Sequence, residues 1–187
     1  MKQLLTALAL MGLSTASFAE ALEQYDSVTE MIHARGDFDE SNHSFEMLSD
    51  DPVAFRLSKP SFASDSDEVV YYENWRAAIY GVYNTFAHTS LNSVTVTAEP
   101  LQYESFQNME NFKFLEDKAV TLSLTREEAL EALQSLIDVD SFDDIKTKTS
   151  YGYSWSPEFE NVYYEDRDPG IDSFTSSMLG FCTGFCR

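Results

Sequence analysis

The sequence predicts an α+β domain of two layers, a mainly antiparallel sheet covered on one face by helices. Two observations carry that expectation. Between Tyr71 and Pro100, Tyr72, Trp75, Ile79, Val82 and Phe86 recur at spacings of three and four, which is one face of an α-helix. After a turn at 88–93, Val94, Val96 and Ala98 alternate with Thr95 and Thr97, as in a strand with one buried face. The second observation is that the same pair of signals returns downstream. Val120-Thr-Leu-Ser-Leu124 alternates apolar and hydroxyl residues, and a helical stripe follows it. Helix stripes and one-sided strands bury their apolar sides by stacking on each other. The five side chains of the first stripe contribute about 1.5–3 kcal/mol each on burial, enough to nucleate a core.

In chain order, residues 1–19 read as a secretory signal. Lys2 supplies the positive start, Leu4 to Leu13 a short apolar run, and Ser17-Phe18-Ala19 a small-residue cleavage site. The run is too short for a stable bilayer anchor. Cleavage after Ala19 leaves residues 20–187 as one domain, expected in the periplasm or secreted. Glu20 to Arg35 reads as a helix with Leu22, Tyr25, Val28 and Met31/Ile32 on one side and Gly36 as its stop. Residues 37–68 read as an irregular acidic segment. Within it, Val53, Phe55 and Leu57 alternate in a short strand, and the bracketing Pro52 and Pro60 suggest a sheet edge.

Residues 101–117 are mixed, with Phe112 and Phe114 sharing a face of a further strand. Thr125-Arg-Glu-Glu128 fits a capping box that opens a helix with Ala129, Leu130, Leu133, Leu136 and Ile137 as its stripe. Tyr151, Tyr153 and Trp155 alternate with Gly152 and Ser154, and 161–164 is expected to return as the partner strand of an aromatic hairpin. Residues 168–170, Asp-Pro-Gly, form a turn. The tail 173–187 is apolar, interrupted by glycine, and contains both cysteines.

Charge narrows the partners. Twelve Lys and Arg stand against 32 Asp and Glu, a formal net charge of −20. Phosphate backbones and anionic lipid repel such a surface, so neither nucleic-acid binding nor membrane insertion after signal cleavage is expected. An acidic coat for solubility is the plainer reading, and a surface for a cationic partner or divalent metal the sharper one.

Several motifs bear on chemistry. Cys182-Thr-Gly-Phe-Cys186 reads as a disulfide in an oxidising compartment. The alternative is a soft-metal site for copper or zinc, with Cys182 and Cys186 as thiolates and a histidine, His88 foremost, as third ligand. Residues 166–172 place acids at alternate positions, but with Gly170 sixth in an EF-hand register Arg167 and Pro169 fall where oxygen ligands belong. The acids at 37–40 and 65–68 read as solvated turns. Gly152-Tyr-Ser154-Trp-Ser156 lacks the second glycine of a nucleophile elbow. Neither a zinc-protease helix, a phosphate-cradling loop nor a dinucleotide fingerprint occurs, and no cofactor is expected.

The aromatic residues Tyr151, Tyr153 and Trp155 can stack on a sugar ring or grip a peptide, or they can fill the core. Arg76, beside Tyr72, Tyr80 and Tyr83, can hold a carboxylate or lay its stem on the core. The sequence therefore reads as an exported, non-enzymatic binding or interaction protein for an unknown protein or small ligand. The alternatives are metal handling through the cysteine pair and a carboxylate-dependent hydrolase.

Overall fold

In the computed structural model, residues 22–150, 152–165 and 169–186 are described. The expected signal at 1–19, Tyr151 and the acids at 166–168 lie outside them. The first helix is shorter than its apolar stripe suggests: α1 runs Val28–Arg35, with Ser27 as N-cap accepting from the Glu30 amide. Before it, Leu22 is buried in extended chain and the Tyr25 amide donates to the carbonyl of His88. Hydroxyl capping at Ser27 wins over the periodicity upstream. Gly36 ends α1 at φ 72°, the left-handed conformation that suits glycine.

The segment expected to be irregular holds three strands: β1 Phe45–Asp50, β2 Val53–Leu57 and β3 Pro60–Phe62. Then come α2 Asp67–His88, β4 Ser93–Ala98, β5 Leu101–Ser105, β6 Asn108–Phe114, a 3-10 turn at Glu116–Lys118 and β7 Val120–Thr125. The capping box at Thr125 and Glu128 forms as expected and opens α3, Arg126–Gln134. The chain closes with β8 Lys146–Thr149, β9 Gly152–Trp155, α4 Pro157–Tyr164 and α5 Ile171–Phe181.

The main sheet has the order β1-β2-β4-β7. The β2 strand is therefore interior, not an edge; β1 pairs antiparallel along it and takes the edge, while its bracketing prolines lie just outside the ladder. A second sheet, β3-β5-β6, continues the first. Parallel β2/β4 runs into parallel β3/β5, with Glu99 N donating to Leu57 O and Leu101 N to Lys59 O across the joint. Prolines at 60 and 100 stand on either side of that joint. Four of the six described strand pairings are antiparallel.

The aromatic strand β9 pairs with β8, not with 161–164. That later segment lies in α4, opened by Ser156 accepting from the Phe159 amide and by Pro157 in the first turn. Proline there costs no helical hydrogen bond and presets φ, so the Ser-Pro-Glu sequence is a helix start. The apolar tail is likewise mostly helix: Gly180 falls one residue before the end of α5 and does not interrupt it.

The fold is α+β, with helices packed on sheets. At its centre α2 lies on β2, β4 and β7 and is in turn covered by α3, α4 and α5. It is buried on nearly every side from Trp75 to His88. Tyr83 sits among the rings of Phe142, Phe159 and Phe174 and donates its hydroxyl to Ala129 O at 2.7 Å. On the outer face of β4 and β7, Thr95 bonds Ser123 and Thr97 bonds Thr121, so the hydroxyls pair across the ladder.

Candidate functional site

A helix buried all round must hide whatever polar side chains it carries. In α2 four of these fall on one line, Arg76, Tyr80, Asn84 and His88, each four residues from the last. Each meets a specific partner from another part of the chain. Arg76 donates to the carbonyls of Tyr163 and Tyr164 and pairs with Glu73 at 2.7 Å. Tyr80 donates its hydroxyl to Asp37 at 2.6 Å. Asn84 Oδ1 accepts from Lys146 Nζ at 2.6 Å. The Nδ1 of His88 lies 2.9 Å from Glu23 O. A carbonyl only accepts, so the proton of the neutral ring sits on Nδ1.

Beside this line opens a cleft of about 690 Å³. One wall is Arg35, Asp37 and Phe38, at the C-terminal end of α1 and just beyond it. A second is Ser58, Lys59 and Pro60, at the joint between the two sheets. The third is aromatic: Tyr80 from α2, Trp155 from β9, and Tyr163 and Tyr164 from α4. Trp155 stacks on Phe159 with centroids 4.4 Å apart, and the Lys146 nitrogen stands 3.2 Å above its ring centroid. Two polar atoms of lining residues, Ser58 Oγ and Arg35 Nε, are buried without a hydrogen-bond partner among the described residues. Ser58 is 0% exposed.

Electrostatics sort the charges. Burial alone would raise the Glu73 carboxyl, but its bonds to Lys59 and Arg76 outweigh that and hold it below the ordinary value. It is a fixed anion. Burial raises the phenols of Tyr80 and Tyr163 far above their ordinary range, and Asp37 adds to the effect at Tyr80, so both rings are neutral donors. Burial first, then the neighbouring Arg35, lowers the Lys146 amine to about 6, against a smaller opposing pull from Asp37. Burial likewise lowers His88 to about 4.

Of the residues singled out from sequence, Trp155 lines the cleft. Tyr153 packs its ring 6.1 Å from that of His88 and is not among the lining residues. Arg76 stands behind the wall; it fixes the α4 carbonyls next to Tyr163 and Tyr164 instead of facing the opening. The cysteines form the expected disulfide, S–S 2.00 Å, against β7, where Cys186 bridges Leu122 and Phe185 O accepts from Ser123 N. In that oxidised state neither sulfur is a thiolate ligand. His88 is bracketed by Tyr25 and Tyr153. Among the described residues, no three of His, Cys, Asp and Glu are grouped to hold a metal.

Sequence reasoning missed Arg35, Ser58 and Lys146. The signal that points to this side of α2 is the four-residue spacing of Arg76, Tyr80, Asn84 and His88 in the largely apolar stretch from Trp75 onward. Compared with known proteins, the chain matches no family model, no curated protein sequence and no solved structure.

Proposed function

We propose that the protein is an exported, non-enzymatic binding protein that holds a small, polar, ring-bearing ligand in the cleft beside Trp155. The observation that carries this reading is the coincidence of an aromatic wall with two buried polar atoms, Ser58 Oγ and Arg35 Nε, that have no hydrogen-bond partner among the described residues. Binding pockets combine apolar area with a few placed polar groups in this way. A sugar fits the combination: its ring face covers an aromatic side chain, and its hydroxyls both donate to Ser58 and accept from Arg35. Export rests on the leader at 1–19, and the disulfide is compatible with it.

The test is titration of the protein with a panel of neutral and acidic mono- and oligosaccharides, read by tryptophan fluorescence and calorimetry. Ser58→Ala separates a ligand contact from a structural role. It is expected to weaken binding by about 0.5–1.5 kcal/mol while leaving thermal stability unchanged or raised, because a buried hydroxyl without a partner is removed. No binding across the panel, or equal binding by Ser58→Ala, overturns the reading.

A second reading is favoured by one observation: the cleft gathers Asp37, Glu73 and Glu160 beside its aromatic wall, the minimum for a carboxylate-dependent hydrolase. Against it, Glu73 is held ionised by two cations and is unsuited to donate a proton. Turnover of an aryl glycoside that is lost in Glu160→Gln would establish the hydrolase instead.

A further inference from the structure

On another side of α2, near its N-terminus, lies a second groove of about 570 Å³ that shares no lining residue with the cleft. Its floor is Asn74 and Trp75, Tyr71 stands at its side, and Asp67, Glu68 and Asp117 rim it. Asn74 is 2% exposed. Its Nδ2 donates to Lys118 O at 2.7 Å, a carbonyl that can only accept, so the amide orientation is fixed. Oδ1 is therefore an acceptor, buried and without a partner among the described residues.

We propose that this groove binds an organic cation carrying N–H donors, an alkylammonium or guanidinium. Three independent features converge on that chemistry. The buried Oδ1 of Asn74 requires a donor. The rim is anionic on a chain whose formal net charge is −20, which draws cations in. Tyr71 and Trp75, with ring centroids 6.4 Å apart at 64°, offer a π-face and an apolar surface for an alkyl stem. The rim already takes one ammonium of the protein's own, since Lys118 Nζ pairs with Asp67. Glu68 and Asp117 remain exposed beside that pair.

The experiment compares three probes on the full chain by 1H–15N NMR and calorimetry: 1,5-diaminopentane, N-methylguanidinium and tetramethylammonium. The last carries the charge and no N–H. The two N–H cations are expected to shift the Asn74 side-chain amide and the Trp75 indole, and to bind at least about fivefold more tightly than tetramethylammonium, the worth of one hydrogen bond to a buried acceptor. Tyr71→Ala, at a position 47% exposed and so tolerant of change, is expected to weaken both by about two- to fivefold. Equal affinity for all three probes would reduce the groove to a non-specific anionic surface and overturn the proposal. So would shifts confined to Glu68 and Asp117. A lysine-containing peptide competing with diaminopentane for the same resonances would identify a protein side chain as a source of the cation, and absence of competition would restrict the site to small molecules. Because the groove shares no lining residue with the cleft, failure here leaves the sugar reading standing, and the reverse holds.

Discussion

Two lines of residues run along α2 at the same four-residue step, and they do opposite things. Ala77, Gly81 and Thr85 are small and fully buried, and Gly81 brings the helix against Leu57 and Val96 of the sheet. Thr85 hides its own hydroxyl by donating to Gly81 O at 2.7 Å. Arg76, Tyr80, Asn84 and His88 are large and polar, and each reaches a partner in chain that lies far away in sequence. The first line sets how closely helix and sheet approach, and its energy comes from packing. The second places charges and rings around the cleft, and its energy depends on partners brought by α1, β8 and α4. Packing tolerates no added volume, whereas the polar line responds to protons.

The sharpest way to break the first line is Gly81→Val. A Cβ on Gly81 would stand 2.6 Å from Val96 Cγ1 and 3.1 Å from Leu57 Cδ1, closer than carbon atoms approach. The helix cannot withdraw, since α3, α4 and α5 lie on it from the other side. A loss of about 3 kcal/mol in urea unfolding is expected, the upper end for an overpacked core. Adding Val96→Ala should return part of it. If the double variant is no more stable than Gly81→Val, the contact with Val96 is not the cause.

The polar line is tested by pH. The Lys146 amine titrates near 6 in the folded protein and near 10.5 when unfolded. Between those values the unfolded chain holds a proton that the folded chain lacks, so acidification favours unfolding and stability rises with pH across the window. The slope from this one group is at most about 1.4 kcal/mol per pH unit. Lys146→Met removes the titration. Its stability advantage over the parent should therefore shrink by about 2–3 kcal/mol between pH 7 and pH 9. Parallel stability curves for parent and variant would mean that the amine stays charged in the fold. His88, lowered to about 4, adds the same sign of slope between about pH 4 and its ordinary value of 6.5.

These two lines were unequally legible. Periodicity picked out Tyr72, Trp75, Ile79, Val82 and Phe86; the last four are buried and Tyr72 is half-buried. It reads apolar faces because burial of apolar area is additive and local to each element. The strands β4 and β7 and the capping box of α3 were legible for the same reason: alternation and hydroxyl capping are properties of a few adjacent residues. The partners of the polar line were not. Asp37 reads as a solvated acid, and nothing local marks Lys146, until the chain after α1 and β8 are brought to α2 across 43 and 62 residues of sequence separation. Ser58 is unremarkable in sequence; its burial follows from the joint between two sheets. The segment 161–164, expected as a return strand, is helix, and the signal for it is local: Ser156 and Pro157 mark a helix start.

The C-terminal tail supplies a third term, a contact that neither line of α2 depends on. Gly184 passes so close to β7 that a Cβ there would meet Ser123 O at 2.8 Å, and Ser123 N donates to Phe185 O. The disulfide between Cys182 and Cys186 keeps this loop folded against the sheet. Closing so short a loop restricts the unfolded chain little, so replacing both cysteines by serine is expected to cost at most about 2 kcal/mol, the least of the three effects. The loss should also be local. Hydrogen exchange should accelerate at the Ser123 amide, whose acceptor is in the tail, and stay unchanged at the amides of 81–85 in α2. That pattern follows because sub-global opening begins where few buried contacts hold a segment. Exchange accelerating equally at both places would mean that the tail is part of the same cooperative unit as the central helix.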